Sequence, residues 1–174
     1  MPWPGKKRLL SFSRFDLREM HLERIGSGGP LVLKFDRLDD SWTASRNGKD
    51  ETLNINPNRA NRYLDELEKM EVSAWLPYTD ATAHEALKNP VFRLKLILQS
   101  YKEAPPVPTK SGTGDITFAP EPETEDKVIT LEIAPAGEAG YSRFYYGRVN
   151  TTPNYFILNM DAVRLLGASL SEDN

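Results

Sequence analysis

Hydrophobic and polar residues alternate with a period of two in several short segments of the chain, and this pattern predicts β-strands. In the segment 91–99, Phe92, Leu94, Leu96 and Leu98 fall on one face, and the residues between them are mainly polar. The other predicted strands, in chain order, are 19–25, 31–37, 41–46, 51–56, 128–134, 142–149 and 154–159. Most of the connections are short and rich in turn-forming residues, so we expect antiparallel pairing between sequential strands.

Two helices are predicted, and each begins directly after an asparagine. The segment 57–70 follows Asn56 and starts with a proline, and the segment 160–168 follows Asn159. An asparagine at this position can accept hydrogen bonds from the free N–H groups of the first helical turn. A third, shorter helix is predicted within 80–88, before an Asn-Pro pair. The residues that the two longer helices are expected to bury are Tyr63, Leu64, Leu67 and Met70 in the first and Val163, Leu165 and Leu166 in the second.

The order of strands and helix is the same in both halves of the chain, and residues 53–58 match residues 156–161 at the strand-to-helix junction. We therefore predict an α+β fold of two tandem ββββα repeats, with mainly antiparallel sheets that are each covered by a helix. Whether the repeats share one sheet stays open at this stage. The expected boundaries are an N-terminal extension at 1–18, a first repeat at 19–78, a connecting helix at 79–90 and a second repeat at 91–170 with a flexible Pro-rich insertion at 102–127.

The composition is that of an ordinary folded protein, and it argues against several kinds of chemistry. The 174 residues carry a net charge of −3, which provides no general attraction for nucleic acid. Cysteine is absent, which excludes disulfides and thiolate chemistry. The two histidines, His21 and His84, lie in different predicted elements without the spacing of metal ligands. We therefore expect no catalytic, cofactor-binding or metal-binding residues, and no nucleic-acid partner.

Two segments of the second half are candidates for binding another protein. Ile116 and Phe118 form an apolar island inside the Pro-rich insertion, where they could add a strand to the sheet of a partner. Tyr145, Tyr146 and Arg148 belong to an aromatic cluster, which is typical of protein interfaces but also of strand packing and of stacking on nucleic-acid bases. The plainer interpretation of the insertion is a flexible loop between two paired strands.

A set of short motifs extends over nearly the whole chain. The first half contains Leu31-Val-Leu-Lys-Phe, Ser41-Trp42-Thr and a closing Ala74-Trp75-Leu, and the second contains Tyr146-Gly-Arg and Tyr155-Phe-Ile-Leu. These motifs resemble those of an uncharacterised bacterial family of repeated α+β domains. The resemblance implies a domain that often follows an N-terminal membrane anchor and is frequently encoded near auxiliary components of ABC-type transport systems of the gliding-motility kind. It implies no catalytic residues.

The expected function is therefore non-enzymatic: an accessory or scaffolding domain that binds another protein, for which the resemblance suggests a transport component of the cell envelope. The sequence departs from the family pattern in lacking the anchor and in carrying the insertion, so we expect membrane association only through an anchor absent from this chain. The alternative is a small-molecule-binding or enzymatic domain with its site in the cleft between the repeats. A pocket lined by converging polar side chains, for instance Arg148, Tyr146 and His21 together, would favour the alternative.

Overall fold

The fold is built on an antiparallel sheet of nine strands. The structure is a computed structural model, and it describes residues 8–26, 28–101, 124–136, 144–167 and 170. The strands are β1 (Leu17–Arg24), β2 (Leu31–Asp36), β3 (Ser41–Arg46), β4 (Lys49–Asp50), β5 (Ala74–Leu76), β6 (Phe92–Tyr101), β7 (Thr124–Pro135), β8 (Phe144–Val149) and β9 (Tyr155–Asn159). The helices are α1 (Pro57–Lys69), α2 (Ala81–Ala86) and α3 (Met160–Leu166), and single 3₁₀ turns lie at Arg14–Asp16 and Thr52–Asn54.

The strand order places the first strand of each half side by side in the sheet, as β4-β3-β2-β1-β6-β7-β8-β9-β5. The β1–β6 pair is antiparallel and extends from Leu17 opposite Leu98 to Arg24 opposite Phe92. From this pair, the strands of each half follow one another outwards. β5 is the exception, because it follows α1 in the chain and yet pairs with β9. The α+β class and the mainly antiparallel pairing are confirmed, and the described strands of both halves share one sheet.

The main core lies between one face of this sheet, called the helix face, and the helices α1 and α3. The alternation predicted in β6 is confirmed, because Phe92, Leu94, Leu96 and Leu98 are all at most 6% exposed and point into this core. Other residues buried in the same core come from neighbouring strands and from the helices; they include Leu33, Ile129, Leu131, Ile133, Phe156, Leu64, Leu67 and Leu166. Burial of this apolar surface is the main favourable contribution to folding.

The opposite face of the sheet has a smaller apolar cluster beneath α2. Ala83 and Leu87, from α2 and its C-terminal end, are buried against Ala134 of β7 and Tyr155 of β9. The Nδ1 atom of His84 lies 2.9 Å from the hydroxyl oxygen of Tyr155, which gives that histidine a structural role. Of the described helices, α2 covers this face, near the β5 edge.

The predicted caps of the helices are confirmed. The Asn56 side chain accepts a hydrogen bond from the Asn58 N–H at 2.9 Å, and the Asn159 side chain accepts one from the Ala162 N–H at 2.8 Å. The hydroxyl of Tyr63 in α1 donates a 2.8 Å hydrogen bond to the carbonyl of Leu166 at the end of α3. Burial raises the pKa of Tyr63 far above its usual range, so its hydroxyl stays protonated and remains a donor. This bond joins the helices of the two halves.

Several details of the sequence prediction are wrong. Residues 51–56 are not a strand, because the turn at Asn47-Gly48 leads into the two-residue β4 and then into a 3₁₀ turn. The backbone N–H of Ala44 donates a 3.0 Å hydrogen bond to the hydroxyl oxygen of Thr52. A side chain therefore takes the place of a strand partner beside Ala44. In α3, Leu165 is 41% exposed, whereas Ala162 and Leu166 are buried.

Other boundaries differ from those expected. β7 begins at Thr124, four residues before the predicted strand, because Thr124 pairs with Tyr101 at the end of β6. Trp42 is buried in the first half as expected, but Trp75 packs edge-on against Phe156 of the second half, with ring centroids 5.8 Å apart. Most of the predicted Pro-rich insertion, at 102–123, lies outside the described residues.

Gly147 of β8 lies opposite Phe156 of β9 in the strand register. A Cβ atom at this position would lie 2.2 Å from Cε2 of Phe156, a distance that no pair of unbonded carbon atoms tolerates. Phe156 is fully buried, so its ring has no free space into which to move. The glycine is therefore required by packing.

We expect Gly147→Ala to lower the free energy of unfolding by about 1–3 kcal/mol, because the added methyl group overpacks the core. Urea-induced unfolding followed by tryptophan fluorescence measures this change. The double variant Gly147→Ala/Phe156→Leu is the control, since the smaller side chain makes room for the methyl group. If Gly147→Ala lowered the free energy of unfolding equally in the wild type and in the Phe156→Leu background, the proposed clash would be contradicted.

Candidate functional site

A groove of about 850 Å³ opens on the helix face near the β3 end of the sheet. One wall is the segment 8–15, the other is α1 with Asn61, Leu64 and Glu68, and the floor comes from β1, β2 and β3. The segment 8–15 is attached next to the end of α1, because the N–H of Leu9 donates to the carbonyl of Met70 at 2.9 Å. Leu9 and Leu10 are buried in the main core, so this wall is part of the folded domain. We call this feature the aromatic groove.

Aromatic rings give the groove its apolar floor. Phe35 of β2 and Trp42 of β3 are directly opposite in the strand register, and their ring centroids are 4.9 Å apart. The indole N–H of Trp42 donates to the side-chain oxygen of Asn61 at 3.3 Å, which connects the floor to α1. Because its position is fixed by both contacts, the floor is a preformed surface for an apolar group.

The rim of the groove carries Phe15 and several arginines. Phe15 belongs to the 3₁₀ turn at Arg14–Asp16 and is 80% exposed. Arg14 forms an ion pair with Asp65 of α1, and its Nε lies 3.9 Å from a carboxylate oxygen of Glu68. Asp16 lies 3.8 Å from the guanidinium of Arg37, in the turn after β2. These exposed ion pairs contribute little energy individually, but they position the turn that presents Phe15.

The groove is lined by side chains that can form hydrogen bonds, ion pairs and apolar contacts. Its described lining contains arginines, carboxylates, serines, aromatic rings and leucines, but no histidine, lysine, cysteine or tyrosine. Ser11 and Ser13 therefore have no histidine beside them in that lining to activate a hydroxyl for nucleophilic attack. Among the residues that the structure describes, no three histidines, cysteines or carboxylates are grouped to hold a metal ion. In the same residues, no helix is long and apolar enough to cross a membrane.

The residues predicted from sequence as binding residues do not form one surface. Tyr145 packs against the main core on the helix face, whereas Tyr146, its neighbour on β8, packs under α2 on the opposite face. Arg148 shares that opposite face and is paired with Glu132. Ile116 and Phe118 lie outside the described residues, and their role in binding stays a prediction.

The three polar residues that serve as the example of a pocket for the alternative function do not lie together. His21 lies on β1 and contacts Glu19 at 3.2 Å, and Arg148 and Tyr146 lie on β8. The strands β6 and β7 separate them in the sheet. These side chains therefore do not converge on one point.

Arg148 belongs to a row of alternating charges that crosses four adjacent strands on the opposite face. The row consists of successive partners in the strand registers, and none of them lies in a turn. Its members are Glu23, Arg93, Glu132 and Arg148. Arg93 lies 3.1 Å from Glu23 and 2.8 Å from Glu132, and Arg148 lies 2.9 Å from the other oxygen of Glu132. Opposite charges placed directly across strands stabilise a sheet.

The two arginines alter the protonation of Glu132. Partial burial disfavours its charged form, but the hydrogen bonds and charges of Arg93 and Arg148 outweigh burial and lower the pKa of Glu132 below its ordinary value of 4.5. The same contacts raise the pKa of Arg93. Because these groups satisfy one another, the row is a structural feature of the sheet.

Comparison with known proteins gives a family match for one segment of the chain. Residues 5–90 match the model of a family described as Domain of unknown function (DUF4340). The matched segment is therefore similar to that family. It includes the segment 8–15, α1 and the strands β1–β3, which are the elements that form the aromatic groove. Neither the curated proteins nor the solved structures gave a match.

Sequence reasoning did not identify the aromatic groove. The segment 1–18 was expected to be an extension, although Leu9-Leu10 and the pair Phe12 and Phe15 carry an apolar signal. The spacing of these apolar residues matches neither a strand nor a helix, because the segment is irregular up to its 3₁₀ turn. The pairing of Phe35 with Trp42 was implicit in the predicted hairpin of β2 and β3.

We expect Glu132→Gln to lower stability at neutral pH by about 1–2 kcal/mol, because two partly exposed arginines lose their charged partner. A carboxylate with a lowered folded-state pKa stabilises the protein above its unfolded-state pKa, and this contribution is lost as the pH falls through the folded-state value. The variant should therefore lose less stability than the wild type between about pH 6 and about pH 3.

Urea unfolding at several pH values measures both effects, with Glu125→Gln as the control on an exposed position of the same strand. If Glu132→Gln and the wild type showed the same pH dependence, the arginines would not be lowering the pKa of Glu132.

Proposed function

We propose that this chain is a non-enzymatic accessory domain that binds another protein through the aromatic groove. The observation that carries the proposal is the position of Phe15, an aromatic side chain 80% exposed to solvent above a preformed aromatic floor. An exposed aromatic ring beside a partly apolar groove is costly in water and favourable in an interface, where its surface is buried. The partner would place an apolar side chain against Phe35 and Trp42.

The exposure of other apolar residues supports the same location. Leu38 is 96% exposed and belongs to the β2–β3 connection, which also contributes Arg37 and Asp40 to the groove. Leu38 thus lies in the chain between two residues of the groove lining, of which Phe15 is also a part. Single exposed hydrophobic residues are ordinary, but two of them in segments that contribute to one groove support a binding surface at this location.

The chemistry of the rim is also typical of protein interfaces. Arg8, Arg14 and Arg37 line the groove together with the aromatic rings, and arginine and aromatic residues are the types most enriched in interface hot spots. Asp40 and Glu68 balance part of this charge. The groove therefore favours a partner segment with an apolar anchor and flanking polar groups of both signs.

The organisation of the chain supports a scaffold built by internal duplication. Each half supplies four strands that precede a helix, although the fourth is only two residues long in the first half, and the two halves meet at the β1–β6 pair. We include in the proposal that the two ββββα units arose as repeats.

The family resemblance suggests a transport component of the cell envelope as the partner, and this remains part of the proposal.

The proposal is tested by affinity capture from the native host with three forms of the full chain. We expect Phe15→Ser to lose a partner that both the wild type and Leu53→Ser retain. Leu53 is the matched control because it is 90% exposed and lies outside the groove lining. The captured protein must then bind the purified wild type at least about tenfold more tightly than Phe15→Ser, a difference of about 1.4 kcal/mol.

A fourth form, with Ile116→Ser and Phe118→Ser together, tests the candidates that lie outside the described residues. Loss of the partner by this form and retention by Phe15→Ser would place the binding surface in the insertion and contradict the groove. Capture of no protein by the wild type would contradict the accessory function itself.

A further inference from the structure

A second cavity, of about 670 Å³, lies on the helix face where the two halves meet. Arg24, Ile25 and Gly26 at the end of β1 form one side, and Val91 and Phe92 at the start of β6 lie next to them. The remaining lining comes from the second half, namely Ile133, Tyr145, Met160, Val163, Arg164 and Gly167. We call this feature the junction cavity.

One side of α3 is directed into the junction cavity. Met160, Val163, Arg164 and Gly167 follow one another at spacings of three, one and three residues, so they lie on the same side of the helix. Ala162 and Leu166 lie on the side that is buried in the main core. The helix is therefore held by one side and exposes the other to the cavity.

The lining of the junction cavity combines an apolar interior with an apolar opening. Phe92 and Ile133 are buried at its base, and Ile25, Val91 and Met160 are between 36% and 43% exposed. Those three side chains belong to three different segments, yet they surround the same opening. A ligand with an apolar body would cover them and bury their exposed surface.

The charged residues in the described lining of the junction cavity have one sign. Arg24 and Arg164 line it, and its described lining includes no aspartate or glutamate. The guanidinium of Arg24 donates to the carbonyl of Gly167 at 2.5 Å, which fixes this positive charge at the C-terminal end of α3. Arg164 is exposed on the next turn of the same helix side. Arg24 is engaged by this bond, so Arg164 is the cation of the lining that is placed to pair with an anionic group.

We propose that the junction cavity binds an amphipathic carboxylate, with its apolar body between Ile25, Val91 and Met160 and its carboxylate at Arg164. The aromatic groove differs in this respect, because carboxylates accompany the arginines there. The two sites share no lining residue, so binding at the junction cavity can be tested without the proposed protein partner.

Isothermal titration of the full chain with decanoate, below its micelle-forming concentration, tests this proposal. Decanol is the uncharged comparison ligand, and we expect decanoate to bind at least about tenfold more tightly, because only the carboxylate pairs with Arg164. Arg164→Gln should weaken decanoate binding about tenfold and leave decanol binding unchanged. Met160→Ser should weaken the binding of both ligands, since it removes apolar contact.

Two further variants serve as controls. Arg62→Gln removes an exposed helix arginine that does not line the cavity, and Phe15→Ser alters only the aromatic groove, so both should bind decanoate like the wild type. The proposal is overturned if decanoate does not bind at millimolar concentration, if decanol binds equally well, or if Arg164→Gln retains full decanoate affinity.

Discussion

The antiparallel pairing of β1 with β6 is the interaction on which the rest of the structure depends. Each half alone would present its first strand as a long open edge, with unpaired N–H and C=O groups that attract other strands. Pairing the two edges with each other satisfies those groups from Leu17 opposite Leu98 to Arg24 opposite Phe92. The outermost strands of the described sheet are β4 and β5, which have two and three residues.

The same pairing determines where the candidate sites lie. The core is continuous across the β1–β6 junction, and α1 and α3 meet above it through the hydrogen bond from Tyr63 to Leu166. The aromatic groove opens on the β3 side of α1, and the junction cavity opens beside α3. The opposite face carries the row of charges across β1, β6, β7 and β8 and the small cluster beneath α2. Apolar sites are thus concentrated on the helix face.

Local signals in the sequence predicted most of the regular elements. The alternation in β6 and the asparagines before α1 and α3 depend on backbone geometry and on neighbouring residues, and both are correct in the structure. The errors occur where contacts between residues that are distant in the sequence determine the local structure. Thr52 satisfies the backbone of Ala44 with its side chain, which removes the need for a longer fourth strand. β5 pairs with β9 rather than with a strand of its own half, and no local pattern carries that information.

The candidate sites were less accessible to sequence reasoning than the fold. The rings of Phe35 and Trp42 become a groove floor only because the irregular segment 8–15 and α1 stand on either side. In the same way, Arg24 and Arg164 are 140 residues apart in the chain and share a cavity only through the β1–β6 junction. Tyr145 and Tyr146 were grouped because they are adjacent, whereas neighbouring residues of a strand point to opposite faces. Surface sites of this kind depend on tertiary contacts between elements.

The central claim is that the β1–β6 pair makes both halves one cooperative unit. Native-state hydrogen exchange in increasing urea tests it directly, by comparing amides of β2 in the first half with amides of β7 in the second. The account predicts that the most protected amides of both strands exchange with one free energy and one urea dependence, because they open only in global unfolding. Lower free energy and a smaller urea dependence for one strand would show that the halves unfold separately, and would contradict the account.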